Sequence, residues 1–369
     1  MATTYKSFLD NDLVSTRTLL HENIPLTGSI INGTPYSNNN IKSYNHGMFQ
    51  SVYDYPVLSS SANHLFDLTV GLSSTSPASS SISNDVFLKK KRNIYNQMAQ
   101  VLVGHDPTGS IYEFDRDGNP ATDTDKFTSM YFLNFSRLLV KDEIKKGSVV
   151  LTIGVNSSSA SPFTELITVS DTNGASNYFI NSPTGEYGTL FLNGTTGVQS
   201  TQTNKAVGFV FYQAGVVALS PIIFSISSST APEDSLASNQ FGQLTHEVQL
   251  NSTYNWDVQR AFESGSINQI NDALRARIKN ITFNNTTELN STIHFCRINH
   301  NEFNYSSNPT YLQDSKIRVK NTTSDAPVSY ITTVGLYSPD NELLAVAKVS
   351  EPLKKDPTQE MILRVRLDY

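Results

Sequence analysis

The sequence predicts a mainly β fold with a few helices, an α+β chain built on antiparallel sandwich-like or barrel-like sheets with a C-terminal β-meander. Three observations carry this reading. Across residues 125–227, short β-branched and aromatic runs recur, separated by turn signals such as Asn173-Gly174, Thr184-Gly185 and Asn193-Gly194. Regularly spaced short strands with Gly and Asn between them mean a sandwich or barrel. Residues 330–369 hold three apolar runs divided by Ser338-Pro339-Asp340-Asn341 and Lys354-Lys355-Asp356-Pro357. In the third run Ile362, Arg364, Arg366 and Asp368 alternate with Leu363, Val365 and Leu367, the period of a half-buried strand. The composition agrees. Only 16% of residues are charged, against about 25% in an average globular chain, while Ser, Thr, Asn, Tyr and Phe are abundant.

Five segments follow from the N-terminus. Residues 1–64 read as an arm and extended segment. Pro25, Gly28, Gly33 and Pro35 punctuate residues 4–40, and a brief amphipathic turn is expected at residues 8–13. Residues 65–124 contain a strand at 65–72, a small polar loop at 73–83 and a helix. Asn84 or Asp85 can cap that helix, and Gly104 sits just past its end. Phe87, Leu88, Ile94, Tyr95, Met98, Val101 and Leu102 supply its apolar stripe, and Lys89-Lys90-Lys91-Arg92 reads as its solvated face. Residues 125–227 form the central β domain, with a helical turn at 141–146 stopped by Gly147 and a last strand at 216–226. Residues 228–329 hold a linker, a helix within 249–281 and returning strands at 289–298. Ile267, Ile270, Leu274, Ile278 and Ile281 give that helix its spacing, and Ser264 or Ser266 its cap. Residues 330–369 form the meander, which can pack on the central β domain.

Charge and cysteine content bound the partners. The formal net charge is −6, which disfavours nucleic acid, because neutralising phosphates needs a basic surface. Cys296 is the single cysteine, so an intrachain disulfide framework is excluded. It reads as a reduced, buried small hydrophobe. No run approaches the roughly 20 apolar residues of a membrane span. The opening residues lack the basic start and apolar core of a secretory signal, so the expectation is synthesis in a reducing cytoplasm.

No catalytic signature stands out. A G-x-S-x-G elbow, a Walker loop, a dinucleotide fingerprint and H-E-x-x-H are all missing from the sequence. The best metal candidate is Asp115-Arg116-Asp117-Gly118-Asn119, with Asp123 and Asp125 downstream. Calcium loops of the EF-hand type need oxygen ligands at positions 1, 3 and 5, Gly at 6 and Glu at 12. Here Gly stands at position 4, so a hairpin turn is the expected reading. His21, His46, His64, His105, His246, His294 and His300 are scattered. His294 and His300 flank Cys296 without zinc-ligand spacing. Tyr44, Phe49, Tyr53 and Tyr55 cluster, and are expected at a core or subunit interface rather than against sugar. The expectation is no catalytic residue, no cofactor and no metal.

Several stretches carry a resemblance. Ile331-Thr332-Thr333-Val334-Gly335-Leu336-Tyr337, Leu343-Leu344-Ala345-Val346-Ala347-Lys348 and Arg364-Val365-Arg366-Leu367-Asp368-Tyr369 resemble a pattern in virion structural proteins of large contractile-tailed bacteriophages, of the tail, baseplate or fibre-attachment type. Phe49-Gln50-Ser51-Val52-Tyr53-Asp54-Tyr55-Pro56 and Gly208-Phe209-Val210-Phe211-Tyr212-Gln213-Ala214-Gly215-Val216 read the same way. The resemblance implies a non-enzymatic virion component that binds other virion proteins in an oligomeric assembly. A receptor- or carbohydrate-binding tail module is the alternative, as is a capsid decoration or neck protein. A host-surface glycan is the less favoured partner.

Overall fold

The β-branched and aromatic runs fold as strands, and their neighbours in space are set by antiparallel pairing. In a computed structural model of the chain, the described residues are 5–27, 38–76, 85–118, 120, 126–154, 162–164, 166–194, 206–224, 262, 265–306, 312–313, 316–317, 320, 322 and 324–369. The chain is mostly β, as its sequence predicts, with three α-helices among the described residues. The strands are β1 (Leu13–Thr27), β2 (Ile41–Ser43), β3 (Gln50–Tyr53), β4 (His64–Leu72), β5 (Phe114–Asp115), β6 (Lys126–Phe127), β7 (Ser129–Phe135), β8 (Glu143–Ile144), β9 (Val150–Gly154) and β10 (Leu166–Ser170). They continue as β11 (Phe179–Ser182), β12 (Gly185–Gly194), β13 (Ala206–Phe211), β14 (Val216–Leu219), β15 (Ile278–Ile298), β16 (Leu312–Gln313), β17 (Lys316–Ile317), β18 (Ser329–Tyr337), β19 (Leu343–Lys355) and β20 (Met361–Asp368). The helices are α1 (Val86–Leu102), α2 (Arg137–Val140) and α3 (Ile267–Arg277).

By internal contacts the chain divides into two units. The core unit is Leu20–Thr287. The terminal unit joins Met1–Leu19 to Glu288–Tyr369. The chain passes between them twice, within β1 and within β15. Residues 125–227 lie in the core unit and residues 330–369 in the terminal unit.

In the core unit the strands follow the order β15, β9, β10, β12, β13, β14, β7, β4, β3, β2, each antiparallel to its neighbour. The middle strands are buried along their length. Every residue of β13 and β14 is buried, as are six of seven in β7. Strands covered on both faces read as continuous apolar runs, and Ala206-Val207-Gly208-Phe209-Val210-Phe211 is such a run. Gly208 leaves room there, since a Cβ would lie 2.2 Å from the Ala218 carbonyl oxygen. Rings fill the interior: Phe114 meets Tyr95, Phe132, Phe209 and Phe211 with centroids 5.5–6.4 Å apart, the tilted and offset geometry aromatic pairs prefer.

Helix α1 forms where its punctuation predicts. Asp85 accepts a hydrogen bond from the Phe87 amide, and Gly104 follows the helix at φ 99°. Its buried face is Leu88, Lys91, Ile94, Tyr95, Ala99 and Leu102. Two expectations are corrected. Phe87 and Val101 are exposed, and Lys91, expected on a solvated face, is fully buried and donates to the Phe262 carbonyl. The 3.6-residue period places 88, 91, 95, 99 and 102 on one stripe, and that stripe overrides the polarity of one lysine whose ammonium finds an acceptor.

Ser266 caps α3 in a capping box with Gln269. The helix stops at Arg277. Ile278 and Ile281, expected on the helix, begin β15, where Ile278 pairs with Ile153 and Ile281 with Leu151. Spacing alone cannot distinguish an apolar residue on a helix from one on a strand a turn later. The part of the expected helix at 249–261, and the linker at 228–236, fall outside the described residues. The expected turn at 141–146 lies earlier, as α2. The expected strand at 216–226 ends at Leu219, before a 3₁₀ turn at Pro221–Phe224.

The three C-terminal runs are strands, but they do not form one meander. Among the described residues β18 pairs with β19 alone, and β20 pairs with β15, from Ser291↔Asp368 to Ile298↔Met361. Turn chemistry fixes a hairpin between neighbours; it carries no information about a strand whose partner lies 63 to 77 residues away.

Candidate assembly surface

The terminal unit is thin. Among the described residues its buried apolar side chains are Ile298, Leu336 and Val365, while Tyr5, Leu9, Tyr330, Tyr337, Leu343, Leu344, Val346 and Ile362 are exposed. Residues 5–12, expected as part of an arm, lie on their own chain. The Phe8 ring is 5.4 Å from His294, Tyr5 is 5.0 Å from Tyr337, and Asp12, at the end of a 3₁₀ turn at Asp10–Asp12, pairs with Arg297 at 2.7 Å. Among the described residues of 4–40 one strand forms, β1.

Its charges are matched locally. Lys6 pairs with Glu302, Arg17 with Glu288, and Arg366 with Asp368. The unit holds eleven Lys and Arg against twelve Asp and Glu, a balance of −1 within the chain's −6. Lys355 is fully buried and donates to the carbonyls of His300 and Asp356 and to Asn304 Oδ1, at 3.1, 2.8 and 2.7 Å. Three acceptors meet the three donors of an ammonium. They tie the end of β19 to the turn after β15.

At the tip of the β18–β19 hairpin the chain turns through Ser338–Glu342. The Ser338 amide donates to the Glu342 carbonyl at 2.9 Å, the Asn341 amide to the Ser338 carbonyl at 3.0 Å, and Asn341 adopts φ 65°. Beside the turn Tyr337, Leu343, Leu344 and Val346 stand exposed. Gly335 leaves room for these side chains: a Cβ would lie 2.9 Å from the Tyr337 ring and 3.3 Å from Leu343 Cδ1, and both would have to shift. A sequence signal for this patch exists. Leu343-Leu344 breaks the alternation of a half-buried strand, so one of the two must face away from whatever the other packs on.

The sequence-stated candidates for chemistry stay apart. Asp115 is buried and pairs with Lys126 at 2.8 Å, and its carboxylate accepts the Asp117 amide at 3.1 Å. Burial, and then Asp117, push its pKa up. Gly118 adopts φ 80° in the turn, while Asn119, Asp123 and Asp125 fall outside the described residues. Among the described residues no three His, Cys, Asp or Glu side chains are placed to hold a metal ion. His21 contacts Asn285 and Thr286, His46 stacks on Tyr44, His64 bonds Asp67 at 2.9 Å, His105 bridges to Ile111, and His300 reaches Glu360. His246 lies outside the described residues. Cys296 is half-buried, its thiol pushed up by burial and by Asp12. Tyr44 and Phe49 pack on each other and on His46, with centroids 4.8–5.1 Å apart. Tyr53 packs edge-on against His64, and Tyr55 is exposed.

Sequence reasoning did not single out Asp171. It is fully buried and accepts the amides of Gly147 and Val149, each at 2.8 Å, and the Tyr212 hydroxyl at 3.1 Å. Burial outweighs these bonds and raises its pKa. The arrangement clamps two loops and is spent on structure. The pocket lined by Val103, Phe114, Asp115, Gly118, Tyr187, Phe209 and Phe211 has room for about one water, judged by the volume a water centre needs.

No protein-family model matches the chain, and no curated protein and no solved structure matches it. No helix among the described residues is long and apolar enough to cross a membrane.

Proposed function

We propose that this chain is a structural subunit of a bacteriophage virion, of the tail baseplate or fibre-attachment kind, acting through multivalent protein–protein contacts without turnover of a substrate. The single observation that supports it best is the terminal unit: a paired ribbon and sheet with almost no interior among its described residues, near-neutral charge and exposed aromatic and aliphatic side chains. Exposed apolar patches rimmed by polar residues mark association sites. The segments that resemble virion proteins include β18, β19 and β20 of this same unit. The core unit then serves as the rigid body that presents it. Specific interfaces bury about 1,200–2,000 Å² in total, and a subunit wedged between neighbours sums several of them.

Purified particles test the reading. Mass spectrometry should find the chain in virions at stoichiometric abundance, and an electron-microscopy label should place it on the tail. Its absence from purified virions sinks the proposal.

A further inference from the structure

Edges of sheets are where chains join. A free edge presents unpaired amides and carbonyls, and proteins blunt such edges with charge, proline, bulges or short length. Among the described residues nearly every edge strand here is blunted. β20 carries Arg364, Arg366 and Asp368. β1 carries Arg17, Glu22 and Pro25. β2 has three residues, one of them Lys42, and β11 has four. β19 carries Lys348, Glu351, Pro352 and Lys354. It also takes up both irregularities of its ladder: from Ile331↔Leu353 to Thr333↔Lys348, β18 advances two residues while β19 advances five, and from Leu336↔Ala345 to Tyr337↔Leu343 β18 advances one while β19 advances two.

β18 is the exception. Ser329-Tyr330-Ile331-Thr332-Thr333-Val334-Gly335-Leu336-Tyr337 has no charge and no proline over nine residues. Its backbone stays regular while its partner absorbs the bulges, and among the described residues its only strand partner is β19. Thr332 and Thr333 are exposed. A two-stranded ribbon is at best marginal, and three or more strands are needed for stability of their own.

We infer that β18 pairs antiparallel with β18 of a second copy of this chain, joining two hairpins into a four-stranded sheet about a two-fold axis at Thr333. The occupant is argued from self-complementarity. Centred on Thr333, the register places Thr333 opposite Thr333, Thr332 opposite Val334, Ile331 opposite Gly335 and Tyr330 opposite Leu336. No like charges meet, and Thr–Thr and aliphatic pairs across strands are favourable. The same test on β20 fails: registers centred on Arg364, Val365 or Arg366 each bring arginine against arginine. The terminal unit's balance of −1 leaves little repulsion between copies, and a two-fold contact of one patch with itself is the commonest closed symmetry.

The test uses the purified full chain, so its failure leaves the virion reading to the particle experiments. Sedimentation velocity over a concentration series should show a monomer–dimer equilibrium. Thr333→Lys opposes two ammonium groups at the axis and should weaken the dimer about tenfold or more, while the melting temperature of dilute, monomeric protein stays unchanged. In a Cys296→Ser background, Thr333→Cys should give a covalent dimer on mild oxidation, while Ser350→Cys, exposed on β19, should not. A wild-type chain that stays monomeric at hundreds of micromolar overturns the inference, as does an unaltered dimer in Thr333→Lys or equal cross-linking from position 350. A monomer whose Thr333→Lys variant nonetheless fails to enter particles also overturns it, and assigns the edge to a different protein.

Discussion

The two units of this chain solve opposite problems. The core unit buries strands on both faces, fills the space with rings, and sinks even Lys91, Asp171 and Arg277 beneath its surface with partners in place. The terminal unit buries three apolar side chains among its described residues and leaves Tyr337, Leu343, Leu344 and Val346 in solvent. Folding free energy comes mostly from apolar area removed from water. A sheet without a covered face gains little of it. The contrast teaches that the first unit is stabilised by its own interior, and, on the reading proposed above, the second gains its remaining stability from what it binds.

The largest expected effect lies in the interior of the core unit. Phe132 is fully buried against Phe114, and Phe132→Ala should cost about 3–5 kcal/mol, the range for aromatic truncation in a packed core. Leu344→Ala in the terminal unit should change stability by no more than about 0.5 kcal/mol, as exposed substitutions do. Urea unfolding of both variants checks the pair, and equal losses would break the contrast.

A smaller effect separates the helix ends. Asp85 caps α1 with its side chain, and Asp85→Ala should cost about 1 kcal/mol. A change in the urea midpoint at constant slope is the expected signature.

The smallest effect concerns acid, and its sign differs between the units. In the terminal unit the Lys6 bond to Glu302, the Thr358 bond to Asp356 and the Ser291 bond to Asp368 hold these carboxyls below their ordinary range. A depressed folded value means stability present at neutral pH and lost as pH falls through that value. In the core unit, burial raises Asp115 and Asp171. A raised folded value means stability present in acid and lost as pH rises. Asp106, depressed by Thr108 and Ser110, runs the other way within the core unit and offsets part of the gain. On acidification into the carboxylate range, hydrogen exchange should therefore rise first in β19 and β20. Earlier exchange in β9 and β10 would reverse the assignment.

Much of the core unit was legible because its signals are local. Asp85, Gly104 and Ser266 mark helix ends through backbone needs within a turn, and the short strands from Val150 to Leu219 follow from β-branched runs between Gly and Asn. Lys91 was misplaced because a helix face is chosen by packing, and one lysine cannot veto a stripe that includes Leu88, Tyr95 and Leu102. Ile278 and Ile281 were misplaced because a strand that continues directly from a helix leaves no Gly or Pro to mark the change. The partner of β20 was illegible in principle: long-range register is set by which faces need covering, and no residue near 361–368 encodes it. The candidate assembly surface was half legible. Leu343-Leu344 beside a turn announces exposure, but only the pairing shows that β18, uncharged and regular, has one edge without a strand partner among the described residues.

Native-state hydrogen exchange of the purified chain at two concentrations tests the central claim most directly. The account predicts that β18 amides exchange rapidly in dilute protein and become protected when the chain is concentrated, while β7, β13 and β14 stay slow at both. Protection of β18 equal to that of β13 in dilute solution would contradict it, because the terminal unit would then be stable without a partner.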